Sequence, residues 1–133
     1  WRVTGLDNDK GALRRAAALA CREGVQVDLV DTNLRKNRME GYQADLMHGC
    51  RFLDRPLLAD IRDKHLRPGG LFVWSTFMQG SGLVRPGRSL EQGELRRMFA
   101  EEGGFEVLVD KEGELFTGGS MVPASFFAAW CRR

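Results

Sequence analysis

The sequence predicts an α/β protein with a mainly parallel sheet flanked by helices and an antiparallel C-terminal strand. Three observations carry this. Short β-rich runs alternate with amphipathic helical segments, in the order β-α-β-loop-β-α-β-α-β-β. The run Leu71–Thr76 is apolar throughout its start, as a strand covered on both faces should be. The length of 133 residues corresponds to one domain, here residues 1–133, large enough to bury a core without staples.

Trp1 to Leu6 reads as a buried strand ending in Asp7-Asn8-Asp9. Asp9 is placed to cap a helix running to Glu23, with Leu13, Ala16, Ala17 and Ala20 on one face and Gly24 as its stop. Val25–Val30 is the second strand, ending at Asp31-Thr32-Asn33, and Arg35–Gln43 is a polar loop or frayed turn. Ala44–Gly49 forms the third strand. Asp54 then caps a helix with Pro56 in its first turn, Leu57, Leu58 and Ile61 inside, and an Asp60/Lys64 pair outside. Arg67-Pro68-Gly69-Gly70 ends that helix before the strand Leu71–Thr76. Met78–Arg88, with three glycines and a proline, is a loop, and Ser89-Leu90-Glu91-Gln92 has the capping-box pattern of a helix start. That helix buries Leu95, Met98 and Phe99 and stops at Gly103-Gly104. Phe105–Val109 and Ala124–Cys131 are strong strands, with a weaker one at Glu114–Thr117.

Composition narrows the function. Lys plus Arg total 20 against 18 Asp plus Glu, a net charge of +2, too small an excess to argue for a nucleic-acid partner; the basic cluster Arg35, Lys36 and Arg38 reads as a solvated loop. The cysteines Cys21, Cys50 and Cys131 are odd in number and lack CxxC spacing, and the only histidines are His48 and His65, so neither a disulfide scaffold nor a metal centre is expected. No apolar run has the roughly 18 residues of a membrane span, and no cationic leader opens the chain. A cytoplasmic protein is expected. The chain opens at Trp1 without an initiator Met, and a segment is expected to precede it.

In open α/β sheets, ligands bind beyond the carboxyl ends of the strands. The residues there are Asp7, then Asp31 with Thr32, then His48, Gly49 and Cys50, then Thr76 and Phe77. A carboxylate at Asp7 suits the two hydroxyls of a ribose, and Asp31 with the Thr32 backbone suits an adenine edge. The competing account of each Asp is a helix cap or turn former. Recurrence at successive strand ends favours the ligand.

Several segments resemble the class I S-adenosylmethionine-dependent methyltransferases. Val3-Thr4-Gly5-Leu6-Asp7-Asn8-Asp9, with Ala12-Leu13 and Ala16, resembles their second strand and following helix. Asp45-Leu46-Met47 resembles the fourth strand, and Leu66-Arg67-Pro68-Gly69-Gly70-Leu71-Phe72-Val73 resembles the turn into the fifth. Arg51–Arg55, Thr76-Phe77 and Gly93-Glu94-Leu95 resemble the tellurite-resistance-like branch. The resemblance implies a Rossmann-like sheet and S-adenosylmethionine as cofactor. It implies that Asp7 holds the ribose with Asn8 beside the adenine, that Asp31 accepts from the adenine amino group, and that the Thr32 amide donates to a ring nitrogen. It places Gly49 near the methionine moiety and His48, Cys50, Arg51 and Phe77 on the acceptor side. The family's first strand and glycine-rich turn have no counterpart between Trp1 and Arg133; Gly69-Gly70, Gly80-Ser81-Gly82 and Gly103-Gly104 do not substitute for them.

The function so implied is methyl transfer to a small-molecule acceptor by in-line displacement, in which the protein chiefly aligns the acceptor and excludes water. No catalytic base is assigned. His48 is expected as a packed, hydrogen-bonded strand residue, His65 as a partner of helix-terminal carbonyls, and Cys50 as a small buried residue rather than a nucleophile. Arg51 either steers an anionic acceptor or pairs with a nearby carboxylate. A non-catalytic methyltransferase-like binding module is the alternative. A nicotinamide-dependent dehydrogenase ranks below it, because Pro68-Gly69-Gly70 before the fifth strand speaks against that fold.

Overall fold

The computed structural model describes residues 1–133, which form two compact units, Trp1–Glu40 and Gly41–Arg133. In the first unit, strands β1 (Thr4–Asp7) and β2 (Asp28–Asp31) pair in parallel, with Asp7 opposite Asp31. Helix α1 (Lys10–Glu23) connects them and the short α2 (Leu34–Asn37) follows. Asp9 caps α1 as expected, its side chain accepting from the Gly11 and Ala12 amides, and Gly24 closes it in a left-handed conformation.

This unit corrects two expectations and adds one finding. Trp1 is 93% exposed rather than part of a buried strand, because pairing begins only at Thr4. The run from Val25 becomes a strand only at Asp28, the first residue with a partner in β1. No residue of α1 is buried, since within this unit a two-stranded sheet offers little apolar surface to cover it.

The second unit contains a four-stranded sheet in the order β3-β4-β6-β5, with β3 (Ala44–Cys50), β4 (Leu66–Phe77), β5 (Glu106–Thr117) and β6 (Ser120–Trp130). β3 and β4 are parallel; β6 runs antiparallel to both β4 and β5. The α/β class, the parallel pairings and the antiparallel C-terminal strand are those the sequence predicts. α3 (Arg55–Asp60) and α4 (Glu94–Arg96), each continued by a wide π-type turn, supply Leu57, Leu58, Ile61, Leu95 and Phe99 to the core. Phe72 stacks on Phe99 with ring centroids 3.9 Å apart, and Phe127 closes the cluster. The Asp60/Lys64 pair forms at 2.7 Å.

Four local expectations differ. Asp54 precedes α3 but its side chain makes no capping bond. Pro68 and Gly69 lie within the span of β4: Ala44 faces Leu66 and Leu46 faces Leu71, so Arg67–Gly70 bulges out of the ladder, where a residue lacking an N–H is tolerated. Ser89 does not start a helix. Leu90 is drawn into the core and its amide donates to the Phe77 carbonyl, so the chain there is extended; the reciprocal bond forms two residues later, from the Glu91 amide to Glu94 Oε2. Phe105–Val109 and Glu114–Thr117 belong to one strand, because β6 supplies partners along the whole of β5 and an edge strand accepts the polar residues between them.

Candidate functional site

At the carboxyl tips of the parallel pair in the first unit, Asp7 and Asp31 stand opposite each other in register. Paired residues point to the same face, so two exposed carboxylates lie side by side about one strand spacing (roughly 5 Å) apart. Like charges directly opposite one another destabilise a sheet. The arrangement suits a ligand that offers hydrogen-bond donors to both. Asp7 Oδ1 accepts from the Asp9 amide at 2.8 Å, which orients the carboxylate. Asn8 is exposed beside it. Ionised carboxylates only accept, so the pair offers partners to hydrogen-bond donors.

Thr32 differs from expectation. Its amide donates to the Asp7 carbonyl at 2.9 Å, extending the β1–β2 ladder by one bond, and its hydroxyl accepts from Asn37 Nδ2 at 2.8 Å. Both groups have partners in the fold, so the amide is not free to meet a ring nitrogen.

In the second unit, the residues expected at the strand ends separate by face. Gly49 lies opposite Trp74, and a Cβ there would come within 2.2–2.4 Å of the indole ring. Its lack of a side chain is explained by this close approach. The indole Nε1 in turn donates to the Phe52 carbonyl at 2.8 Å, which shapes the turn leaving β3. His48 and Cys50 are exposed on the opposite face of β3, so neither is the packed residue the sequence suggests. The reason is parity: Met47 and Gly49 face the helices, and their neighbours must face away. His65 is the buried histidine. Its Nδ1 lies 2.9 Å from the Tyr42 carbonyl, which can only accept, so the proton is on Nδ1; the bond goes to a loop rather than to helix-terminal carbonyls.

Arg51 donates to Thr117 Oγ1 at 3.4 Å and lies over the Phe77 ring, 5.8 Å from its centroid. Of the two roles open to it in the sequence, pairing with a carboxylate is not the one the structure forms. Thr117 carries no signal in the sequence, because it is 66 positions away and is brought close only by the β5–β6 hairpin.

The link between Arg55 and Glu94, 39 positions apart, leaves no local signal in the sequence. Arg55 Nε and Nη2 donate to the two oxygens of Glu94 at 2.5 and 2.9 Å, while Nη1 and Nη2 reach the Gly87 and Ser89 carbonyls. The hydrogen bond to Glu94 holds the Arg55 guanidinium above the usual arginine value, against its partial desolvation. This fork pins the far end of the Met78–Arg88 loop to the start of α3. The three cysteines are free, no group of three His, Cys, Asp or Glu side chains comes together, and no helix is long and apolar enough to cross a membrane.

With this geometry in place, comparison with solved structures shows the fold: it is similar to that of TehB and of S-adenosylmethionine-dependent methyltransferases. TehB from Haemophilus influenzae matches with a TM-score of 0.77 and 16% identity, over 98% of this chain and 50% of that one. A SAM-dependent methyltransferase from Methanosarcina mazei matches at 0.70 and 18% identity, covering 97% of this chain and 81% of that one. The N-methyltransferase NodS from Bradyrhizobium japonicum, solved in complex with S-adenosyl-L-homocysteine, matches at 0.71 and 15% identity, covering 99% and 67%. At such identities the likeness is one of fold, and this chain spans about half the length of TehB. Neither the protein-family models nor the curated proteins yield a match.

Proposed function

We propose that the protein binds S-adenosylmethionine and transfers its methyl group to a small-molecule acceptor in the cytoplasm. The observation that carries this is the register pairing of Asp7 with Asp31 at the tips of two parallel strands, within a methyltransferase fold. Bound S-adenosylmethionine supplies a sulfonium-activated methyl group, so the protein needs no metal and no nucleophile of its own. Asp7, oriented by the Asp9 amide, accepts from the ribose hydroxyls, and Asp31 accepts from the adenine amine, with Asn8 alongside. On the acceptor side, Arg51 and Phe77 bind the small molecule, with His48 and Cys50 on the exposed face of β3. Their work is alignment of the acceptor, the main contribution a protein makes to an in-line displacement.

Calorimetric titration of S-adenosyl-L-homocysteine into the protein in its full natural chain tests this. Saturable binding is expected, with Asp7→Ala weakening it by about tenfold to a hundredfold, the value of hydrogen bonds to a charged acceptor. Absence of binding by the unsubstituted protein would end the proposal. Binding without turnover of any acceptor would point instead to the non-catalytic module.

A further inference from the structure

At the amino-terminal ends of β3 and β4, opposite to their carboxyl tips, lies a polar cleft of about 440 Å³ lined by Gly41, Tyr42, Gln43, Lys64, His65 and Arg67. Its volume falls in the range of small-molecule sites. Two bonds tie its walls together. His65 Nδ1 donates to the Tyr42 carbonyl at 2.9 Å, and Gln43 Nε2 donates to the Lys64 carbonyl at 3.4 Å. Gly41, with φ of 80°, turns the chain into the first wall, a conformation that glycine adopts without strain.

His65 is only 8% exposed, yet just one of its ring nitrogens is bonded. No buried side-chain nitrogen or oxygen lacks a hydrogen-bond partner, so the unbonded Nε2 is not itself buried and opens where the residue lines the cleft. With the proton on Nδ1, Nε2 presents a lone pair. Lys64 and Arg67 flank it. Lys64 Nζ is held by Asp60 at 2.7 Å and Arg67 Nη1 by Asp45 at 2.9 Å; neither acid belongs to the lining, where Tyr42 is the remaining ionisable group. Each cation spends one donor on its acid, which leaves two ammonium protons and most of the five guanidinium donors. A lining with two cations, an imidazole and no carboxylate selects an anion.

We propose that this cleft is a second ligand site and that it takes a phosphate monoester of a small molecule. Lys64 and Arg67 meet the phosphate oxygens, one as a point charge and the other as a planar fork. The imidazole supplies the choice of phosphate. The second proton of a monoester leaves at about pH 6, so near neutrality the group exists both with and without a P–O–H. The protonated form donates to the Nε2 lone pair, which an ionised carboxylate cannot do. The cleft is much larger than a bare phosphate ion, and Gln43 Oε1, left open when the amide nitrogen bonds to Lys64, accepts from a hydroxyl on the body of the ligand. The seven residues of β3, roughly 20 Å of strand, separate this site from the carboxyl end, so it does not rest on the methyl-transfer reading.

Glycerol 3-phosphate is the probe, with glycerol as its neutral analogue, acetate as a carboxylate and inorganic phosphate as the bare ion. The readout is the imidazole nitrogen resonances of isotope-labelled protein without cofactor, with His48, the other histidine, as internal reference. Glycerol 3-phosphate is expected to shift Nε2 of His65 saturably, and glycerol to leave it in place. Its affinity should exceed that for inorganic phosphate or acetate by about fivefold or more, the value of one added hydrogen bond. Lys64→Gln and Arg67→Gln should each weaken binding about tenfold, as expected for hydrogen bonds to a charged group. His65→Asn keeps a donor for the Tyr42 carbonyl and removes Nε2, and should weaken it about as much. Should that variant fail to fold, the Lys64 and Arg67 variants, at exposed positions, decide the matter. Affinity no higher than that for inorganic phosphate means an adventitious ion only and overturns the proposal. Equal affinity for acetate, an equal shift with glycerol, or unchanged binding by both Lys64→Gln and Arg67→Gln overturns it too. Because the probe needs no cofactor, the result is independent of the S-adenosyl-L-homocysteine titration, and either idea can fail alone.

Discussion

Gly49 illustrates how a residue marked by its position at a strand end takes its meaning from packing. The indole of Trp74 occupies the space a side chain would need, and that ring is itself fixed by its bond to Phe52. Gly49→Ala is expected to destabilise the protein by about 1–3 kcal/mol, the usual cost of overpacking a core, and to diminish the near-ultraviolet dichroism of Trp74. Urea denaturation checks the first and spectroscopy the second. Asp9, by contrast, does what the sequence predicts. The Ala12 and Gly11 amides hold its carboxyl below the ordinary 3.8. A group whose value is lowered on folding contributes stability above its unfolded value and loses it as pH falls through the folded value. Helicity of α1 should therefore decline on acidification below about pH 4, and Asp9→Asn, whose cap does not titrate, should remove this dependence in circular dichroism.

At the level of elements, the Arg55–Glu94 fork joins segments that are unrelated in the sequence. Arg55 opens α3, Glu94 opens α4, and the fork also holds the Gly87 and Ser89 carbonyls that end the intervening loop. The Glu94 side chain is only 11% exposed but that of Arg55 is 37% exposed, so solvent screens part of the interaction. Glu94→Ala is expected to cost about 1–3 kcal/mol in urea denaturation, chiefly by leaving a partly buried guanidinium without its anion. Replacing both by apolar residues, Arg55→Met with Glu94→Leu, should cost less than the single change. The two residues lie in separate segments of the sequence resemblance, Arg51–Arg55 and Gly93-Glu94-Leu95; the fold shows that they meet.

Across the whole molecule, burial is unequal. Every buried residue lies in Gly41–Arg133, and Trp1–Glu40 contains none. Local stability follows buried apolar contact, so amides of α1, β1 and β2 are expected to exchange with solvent far faster than those of β4 and β6. Because a ligand stabilises the segment it binds, S-adenosyl-L-homocysteine should raise protection around Asp7 and Asp31. Hydrogen exchange followed by mass spectrometry measures both. Equal protection of α1 and β4 without ligand would contradict the burial argument, and unchanged protection at saturating ligand would place the adenosine elsewhere.

The α/β class, α1 with its cap, and the carboxylates at the ends of β1 and β2 were all determined by the sequence alone. Each depends on neighbours a few positions apart, through strand alternation, helical periodicity and local hydrogen bonds. The tertiary structure decided what depends on distant partners. It decided that Thr32 continues a ladder, that Gly49 makes room for an indole, that β5 is one strand, and that Ser89 is held extended. It also brought Thr117 to Arg51 and Glu94 to Arg55. Those outcomes follow from register and packing between segments tens of residues apart, and no local pattern encodes them.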